Sequence, residues 1–402
     1  MTAWLRTRPL PTRTFAMAVV ALLLVTSGPP RSNAEETSST GHVAPRLQSF
    51  VDNHTLAGAV LLVASAEAPL CVETVGYANV EQKKPMRADN VFWIASMSKP
   101  ITGAALMILV DEGKVKIDDP VEKYLPEFKD IWLAAEKDKD HVLLKRPTTK
   151  ITIKHCLSHT SGMPFGSSVE YPTREVLPLA LSVRSYTITP LNNEPGTKYE
   201  YSNAGINTAG RIIEVVSGMP YEEFLEKRLL KPLGMKDTTF VPNEEQVARL
   251  AVAYKPNPAK DGLVATTISQ LRYPLSDASR HPVPGGGLFS TAADVSNFCR
   301  MVLAGGTFNG QRILSEESVK AMTSHQTGDL PTSYGLGWST SKTVGGTFGH
   351  GGALSTNMTI DPARKLIYVY LVQHAGYAGT EGSKILPTFH KAAQDAFGKP
   401  SS

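Results

Sequence analysis

Ser96-Met97-Ser98-Lys99 sets a hydroxyl and an amine three residues apart. On a helix, positions i and i+3 share a face, so such a lysine reaches such a serine. A serine hydroxyl is a weak nucleophile until a neighbouring base takes its proton. The same spacing recurs at Ser339-Thr340-Ser341-Lys342, and context separates the two. Ser96 follows a short apolar run and opens an amphipathic pattern, so its backbone N–H points free at a helix start, where the dipole favours a developing oxyanion. Ser339 ends a strand-like run and leads into Gly345-Gly346, so Lys342 has no helical face to share with it. Taken alone, Ser96 also reads as a helix N-cap, a common role for serine.

Two further groups have the composition of a cleft. Tyr201-Ser202-Asn203 follows the turn signal Pro195-Gly196 and precedes a helical pattern, which puts a phenol and an amide at a loop-to-helix junction. The similar Tyr77-Ala78-Asn79 falls in a strand and turn and is read as structural. His350-Gly351-Gly352-Ala353 is a glycine-rich strand edge that lets a substrate carbonyl approach the backbone. The Ala353 N–H is a candidate second oxyanion donor beside that of Ser96, and such a donor is worth a factor of ~10²–10³ in rate. On its own, His350 reads equally as a histidine in a turn. His155 and His159 have a spacing that suits a metal, but Cys156 stands where a zinc protease carries Glu, so helix end and loop is the preferred reading.

These residues need a frame. Ala57 to Ser65 and Cys71 to Val80 read as paired strands, with Val91 to Ile94 a short run before Ser96. Ile101, Ala104, Ala105, Ile108 and Leu109 recur at helical spacing, with Gly113 as the stop. Residues 118–284 show short helical patterns, such as Ala204 to Ser217 and Tyr221 to Leu230, between Pro- and Gly-rich loops. A helix is expected over Thr291 to Leu303, opened by a capping box at Thr291 to Asp294. Strand-like runs return at Tyr334–Ser339, Thr347–His350, Asn357–Ile360 and Leu366–Gln373, and a helix over Ser383–Phe397 closes the chain. Strands at both ends with helices between predict an α/β (α+β) fold: one antiparallel sheet built from the N- and C-terminal parts and flanked by helices, with a mostly helical insert. The sheet part is assigned to residues 45–117 and 285–398, and the insert to 118–284.

The first 34 residues read as a secretory signal: Arg6, Arg8 and Arg13, an apolar run from Phe15 to Val25, then Ser32-Asn33-Ala34 before the expected cut. An uncleaved membrane anchor is the alternative, although Thr14 to Pro30 is short for a span of about 20 residues. Residues 35–44 read as a disordered lead-in. The whole chain carries 41 basic and 37 acidic residues. Four of the basic ones and none of the acidic ones lie in the signal, so residues 35–402 hold 37 of each. Nothing in that balance argues for nucleic acid or an anionic surface as partner. Cys71, Cys156 and Cys299 are too few for a disulfide framework and are expected to be buried and free.

The three groups, in this order, resemble the serine β-lactamase and penicillin-recognising superfamily, and its class C-like branch in particular. That branch includes class C β-lactamases, D-alanyl-D-alanine carboxypeptidases and β-lactamase-fold carboxylesterases. The resemblance extends through Phe92-Trp93-Ile94-Ala95, Leu157-Ser158-His159-Thr160-Ser161-Gly162, Gly285-Gly286-Gly287-Leu288 and Tyr334-Gly335-Leu336-Gly337-Trp338. It implies a β-lactamase/transpeptidase-like fold, Ser96 as nucleophile, Lys99 as its activating partner and Tyr201 as general base and later acid. Asn203 would orient substrate and lysine, and His350, Gly351, Gly352 and Ala353 would form the strand edge of the cleft. It implies neither metal nor organic cofactor. Two functions remain open: an exported hydrolase working through a Ser96 acyl-enzyme on an ester, D-amino-acid peptide or β-lactam, or a penicillin-binding-type protein that acylates on cell-wall peptides without efficient turnover.

One departure stands out: class C β-lactamases carry Lys-Thr-Gly at the third motif, where this chain has His-Gly-Gly. With histidine's ordinary pKa of about 6.5, the cleft loses a standing positive charge. Bringing a tyrosine from about 10 to near 7 takes ~4 kcal/mol. With Lys99 alone to supply it, a Tyr201–Lys99 pair sharing a proton is expected rather than a free phenolate. Which of the two is the acylation base is open at this level.

Overall fold

The computed structural model describes residues 43–398. The signal segment and residues 35–42 lie outside them. Val43 is fully buried and Ala44 opens a short helical turn, so the end of the expected lead-in is part of the fold.

The expected sheet is present. Its strands are β1 (Gly58–Ala64), β2 (Pro69–Asn79), β3 (Lys84–Pro85), β4 (Ser339–Thr340), β5 (Phe348–Gly351), β6 (Asn357–Asp361) and β7 (Leu366–Leu371). They form one seven-stranded sheet in the order β4-β5-β6-β7-β1-β2-β3. β1 pairs antiparallel with β7, Val60 opposite Leu371 and Val63 opposite Tyr368, so the two ends of the chain meet at the sheet's centre.

All seven residues of β1 are buried, which explains its unbroken apolar run. Val60, Leu62, Ile367 and Val369 face the main core, and Leu61, Val63, Tyr368 and Tyr370 face a second cluster. Ile385 and Phe389 of the closing helix α4 (Gly382–Phe397) cover that second face. A sheet buried on both faces needs no polar alternation, since neither face meets water.

Three other helices matter to the cleft: α1 (Ser98–Asp111), α2 (Asn203–Ser217) and α3 (Ala292–Leu303). Residues 98–109 of α1 are all buried, which marks it as a core helix rather than a surface one. α2 is capped by Ser202, whose hydroxyl accepts from the Gly205 N–H, and ends at Gly218 with φ 70°. At α3, Thr291 caps the Asp294 N–H, but the Asp294 carboxylate turns to the Asp237 N–H and the Thr238 hydroxyl, so only half of the expected capping box forms.

Residues 118–284 are not helical throughout. They also carry hairpins Leu133–Lys137/Val142–Lys145 and Ala253–Pro256/Leu263–Thr266. Ile153, Ile206 and Phe224 of this region share the main core with β1 and α1. Tyr334–Ser339 is mostly a loop rather than a strand. Gly337, at φ +84°, fits there because a Cβ would stand 2.6 Å from the Lys99 carbonyl oxygen. A Cβ on Gly103 would likewise meet the Leu336 carbonyl at 2.4 Å, so this loop lies directly on α1. Cys71, Cys156 and Cys299 are buried and free, as expected.

Candidate active site

Phe92–Trp93 pairs with Phe289–Ser290, and the chain then turns sharply into α1. Ala95 takes φ 46° there, a conformation that costs a side-chain-bearing residue energy and is found at sites held by their surroundings. Residues Ala95–Met97 make one 3-10 turn whose first internal bond runs from the Met97 N–H to the Ile94 carbonyl. The Ser96 N–H is therefore left free, as at any helix start. Ser96 does not act as the cap of α1. Ser98 takes a structural part instead, donating its hydroxyl proton to the Ala95 carbonyl.

Lys99 lies one turn on and is fully buried. Its Nζ is 3.0 Å from Ser96 Oγ and donates to the Gly285 carbonyl. The Gly285 peptide is itself held, because its N–H donates to Asn207 Oδ1 on α2 at 2.9 Å. Burial, followed by the charge of Arg174, pushes the Lys99 amine well below its ordinary range. A neutral amine has a lone pair to offer the Ser96 proton.

Tyr201 sits where α2 begins. Burial raises its pKa to about 12, a rise that the nearby Ser96 side chain only partly offsets. The Lys99 Nζ stands 4.7 Å from the Tyr201 ring centroid, over its face. The expected proton-sharing pair is not what the site favours: burial pushes the amine down and the phenol up, so the phenol keeps its proton while the amine is the group bonded to Ser96 Oγ.

Asn203 borders the same cavity with its Oδ1 buried and unpartnered, about 3 Å from where a Gly285 Cβ would stand. The hydrogen bonds of Lys99 run to Ser96 and Gly285, so Asn203 does not orient the lysine, contrary to expectation. Its amide is free for a substrate. Gly352 packs on the chain that enters Ser96: a Cβ would lie 2.6 Å from the Ile94 carbonyl oxygen and 2.1 Å from Thr356 Oγ1. That contact brings Ala353 to the wall of a cavity of about 380 Å³, shared with Ser96, Tyr201 and Asn203. The Ala353 N–H has no hydrogen-bond partner among the described residues and suits an oxyanion.

His350 and Gly351 do not border that cavity but a shallow depression with Ser339 and Asn357, although the His350 ring stays 6.3 Å from that of Tyr201. His350 Nε2 meets the Tyr334 hydroxyl at 2.8 Å, and Nδ1 donates to the Gly351 carbonyl. Nδ1 thus carries the proton and Nε2 accepts. Burial and the nearby Lys99 depress the His350 pKa to about 3. A rise in activity towards pH 6 through a His350 cation is therefore not expected. Wild type and His350→Gln should give rate profiles of the same shape between about pH 5 and 8, which initial rates across that range would check. A limb near pH 6 lost in the variant would show that His350 does titrate there.

Two aromatic groups, His159 and Tyr334, were noted in the sequence but given no part in the site. His159 lies fully buried under Tyr201, ring centroids 4.3 Å apart, with its Nδ1 accepting from the Ser202 N–H. Burial above all holds it neutral, its pKa well below the ordinary value. Tyr334 closes the far side, 4.6 Å from His159, and holds His350. His155 caps its own short helix through Thr152, and no group of metal-ligating side chains occurs among the described residues. Ser339 lies on a sheet-edge strand and Tyr77 within β2, so neither repeated motif joins the site.

The beta-lactamase family model matches residues 43–386. The chain belongs to the beta-lactamase family. Among curated relatives of this beta-lactamase-family chain, Protein Rv1367c of Mycobacterium tuberculosis is 32% identical, covering 82% of the chain and 88% of its own length. A Salmonella enteritidis protein named "Putative D-alanyl-D-alanine carboxypeptidase" is 30% identical, over 71% of the chain and 70% of its own. Among solved structures, EstCE1, described as a hydrolase with promiscuous acyltransferase activity, superposes with a TM-score of 0.71 at 25% identity. It covers 87% of this chain and 97% of that one. The beta-lactamase/transpeptidase-like fold expected from the sequence is thus the fold observed.

Proposed function

We propose that this beta-lactamase-family protein is an exported serine hydrolase that forms an acyl-enzyme on Ser96, with an ester or a D-amino-acid peptide as substrate in preference to a β-lactam. The reading rests on one observation: a buried amine 3.0 Å from Ser96 Oγ, with the Tyr201 phenol beside it on the wall of the same open cavity. Lys99 takes the Ser96 proton as Oγ attacks the substrate carbonyl. The Ser96 and Ala353 N–H groups receive the oxyanion. Tyr201 protonates the departing alcohol or amine, and the Lys99 ammonium restores the Tyr201 proton. Water then attacks the acyl group with Lys99 again as base, which returns Ser96. The named carboxypeptidase and hydrolase relatives support the reaction class. The preference against β-lactams rests on the third motif, where His350-Gly351-Gly352 stands in place of the Lys-Thr-Gly that class C β-lactamases carry. Export, to the periplasm or outside the cell, rests on the basic and apolar start of the chain, and a small-molecule or cell-wall peptide substrate would be met there.

A labelled fluorophosphonate should mark wild type and spare Ser96→Ala. Initial rates should be higher on a short-chain aryl ester or a D-alanyl-D-alanine peptide than on a chromogenic cephalosporin. Much faster cephalosporin hydrolysis would reverse that ranking. Labelling by penicillin without turnover of any substrate would favour the penicillin-binding reading instead.

A further inference from the structure

We infer that Arg174 makes this cleft select substrates that carry a carboxylate a few bonds from the scissile carbonyl, in preference to their neutral counterparts. The inference rests on the hydrolase reading above and adds a specificity-determining residue to it.

Arg174 stands at a junction. The cavity of about 380 Å³ beside Ser96 adjoins a depression of about 590 Å³, and Phe165, Arg174 and Gln270 border both. The guanidinium lies over the Phe165 ring, 4.5 Å from its centroid, and that ring stacks on Tyr201 at 6.2 Å. These two steps keep the guanidinium within about 11 Å of the Tyr201 ring. An extended chain of four or five bonds from the reacting carbonyl covers about 5–6 Å, roughly half of that upper limit.

Its charge is uncommitted. Arg174 is the only Lys or Arg among the residues bordering the Ser96 cavity, and its Nε is buried without a hydrogen-bond partner. Glu175, which borders the same cavity, is occupied by a buried ion pair to Arg280 at 2.7 Å and by the Arg272 N–H. Glu170 is the acid nearest in field to Arg174, but its oxygens accept from the Tyr186 hydroxyl at 2.6 Å and the Ser167 N–H at 2.8 Å. Stacking on Phe165 holds the planar guanidinium in place and leaves its edge open to a two-point bond with a carboxylate. The third motif supplies no cation, and the Lys99 amine is held towards neutrality by burial, so Arg174 is the standing positive charge at the cleft.

The test compares matched substrates. One pair is 4-nitrophenyl hexanoate and the mono-4-nitrophenyl ester of adipic acid, which places the carboxylate on the acyl side. The other is N-acetyl-D-alanyl-D-alanine and its C-terminal amide, which places it on the leaving side. In at least one pair, kcat/KM should favour the carboxylate by about tenfold or more, the scale of one charge-assisted contact. Arg174→Gln should bring that ratio to near one, and Arg174→Lys should retain part of it. In wild type, raising the salt concentration should narrow the ratio, a readout independent of how any variant folds. Turnover with a ratio near one in wild type, or a ratio that Arg174→Gln leaves intact, would overturn the assignment of Arg174 alone. No turnover of any member, with Ser96 unlabelled by fluorophosphonate, would instead overturn the hydrolase reading beneath it.

Discussion

Lys99→Met should reduce turnover by about 10⁴-fold or more while raising thermal stability. The loss follows because Lys99 is the one base in contact with Ser96 Oγ, and removing one member of a nucleophile–base unit costs on this scale. The gain follows from burial. The lysine is fully buried and its folded pKa is held well below the ordinary 10.5, chiefly by desolvation. Between that depressed value and the unfolded one, the unfolded chain binds a proton that the folded chain does not. Stability therefore falls as pH falls through this window, and a Met side chain removes the dependence. A melt of wild type and variant at two pH values inside the window would show the difference, which should be larger at the lower pH. The same sign governs rate: activity should rise with pH through the lowered Lys99 pKa, since the neutral amine is the reactive form. An unchanged rate in Lys99→Met would end the reading of Lys99 as base.

Tyr201→Phe should lose ~10²–10⁴ in rate on a D-alanyl-D-alanine peptide and far less on an aryl ester, the loss being set by the leaving group. The phenol lines the cavity with Ser96 and, held up by burial to about 12, keeps its proton, so its part is to give that proton to the group that departs. A 4-nitrophenolate leaves readily without one, whereas an amine does not. The variant should therefore retain much of its activity on the aryl ester and very little on a D-alanyl-D-alanine peptide. Equal losses on both would point to Tyr201 as the base that activates Ser96 rather than as an acid.

What the sequence discloses about this site follows chain distance. Ser96 and Lys99 are three residues apart on one helix, so their meeting is local and their spacing predicts it. The choice of Ser96 over Ser339 held because a helical period follows one and a sheet edge contains the other. Tyr201 was legible as the residue before a cap, Ser202, at the mouth of α2. The partner of Lys99 was not: the Gly285 carbonyl lies 186 residues away, and a backbone oxygen has no signature in composition. His350 was read as an edge residue of the cleft, and its ring does stand 6.3 Å from that of Tyr201, but a buried phenol, Tyr334, claims its second nitrogen. Arg174 gave no signal at all, because only its place on Phe165, and of Phe165 on Tyr201, brings it near the cleft. The sheet was readable from two separated sets of apolar runs, whereas Tyr334–Ser339 looked like a strand and was shaped by glycine contacts with α1 instead.

The pairing of β1 with β7 has a further consequence for the life of the chain. Val60 has no neighbour on that side until Leu371 has been made, so the central strand waits with an open hydrogen-bonding edge through most of synthesis. A nascent chain is thus expected to stay unreactive until β7 has been made and can pair with β1. A truncation before residue 366 should yield an aggregating, unreactive polypeptide rather than a weakened enzyme.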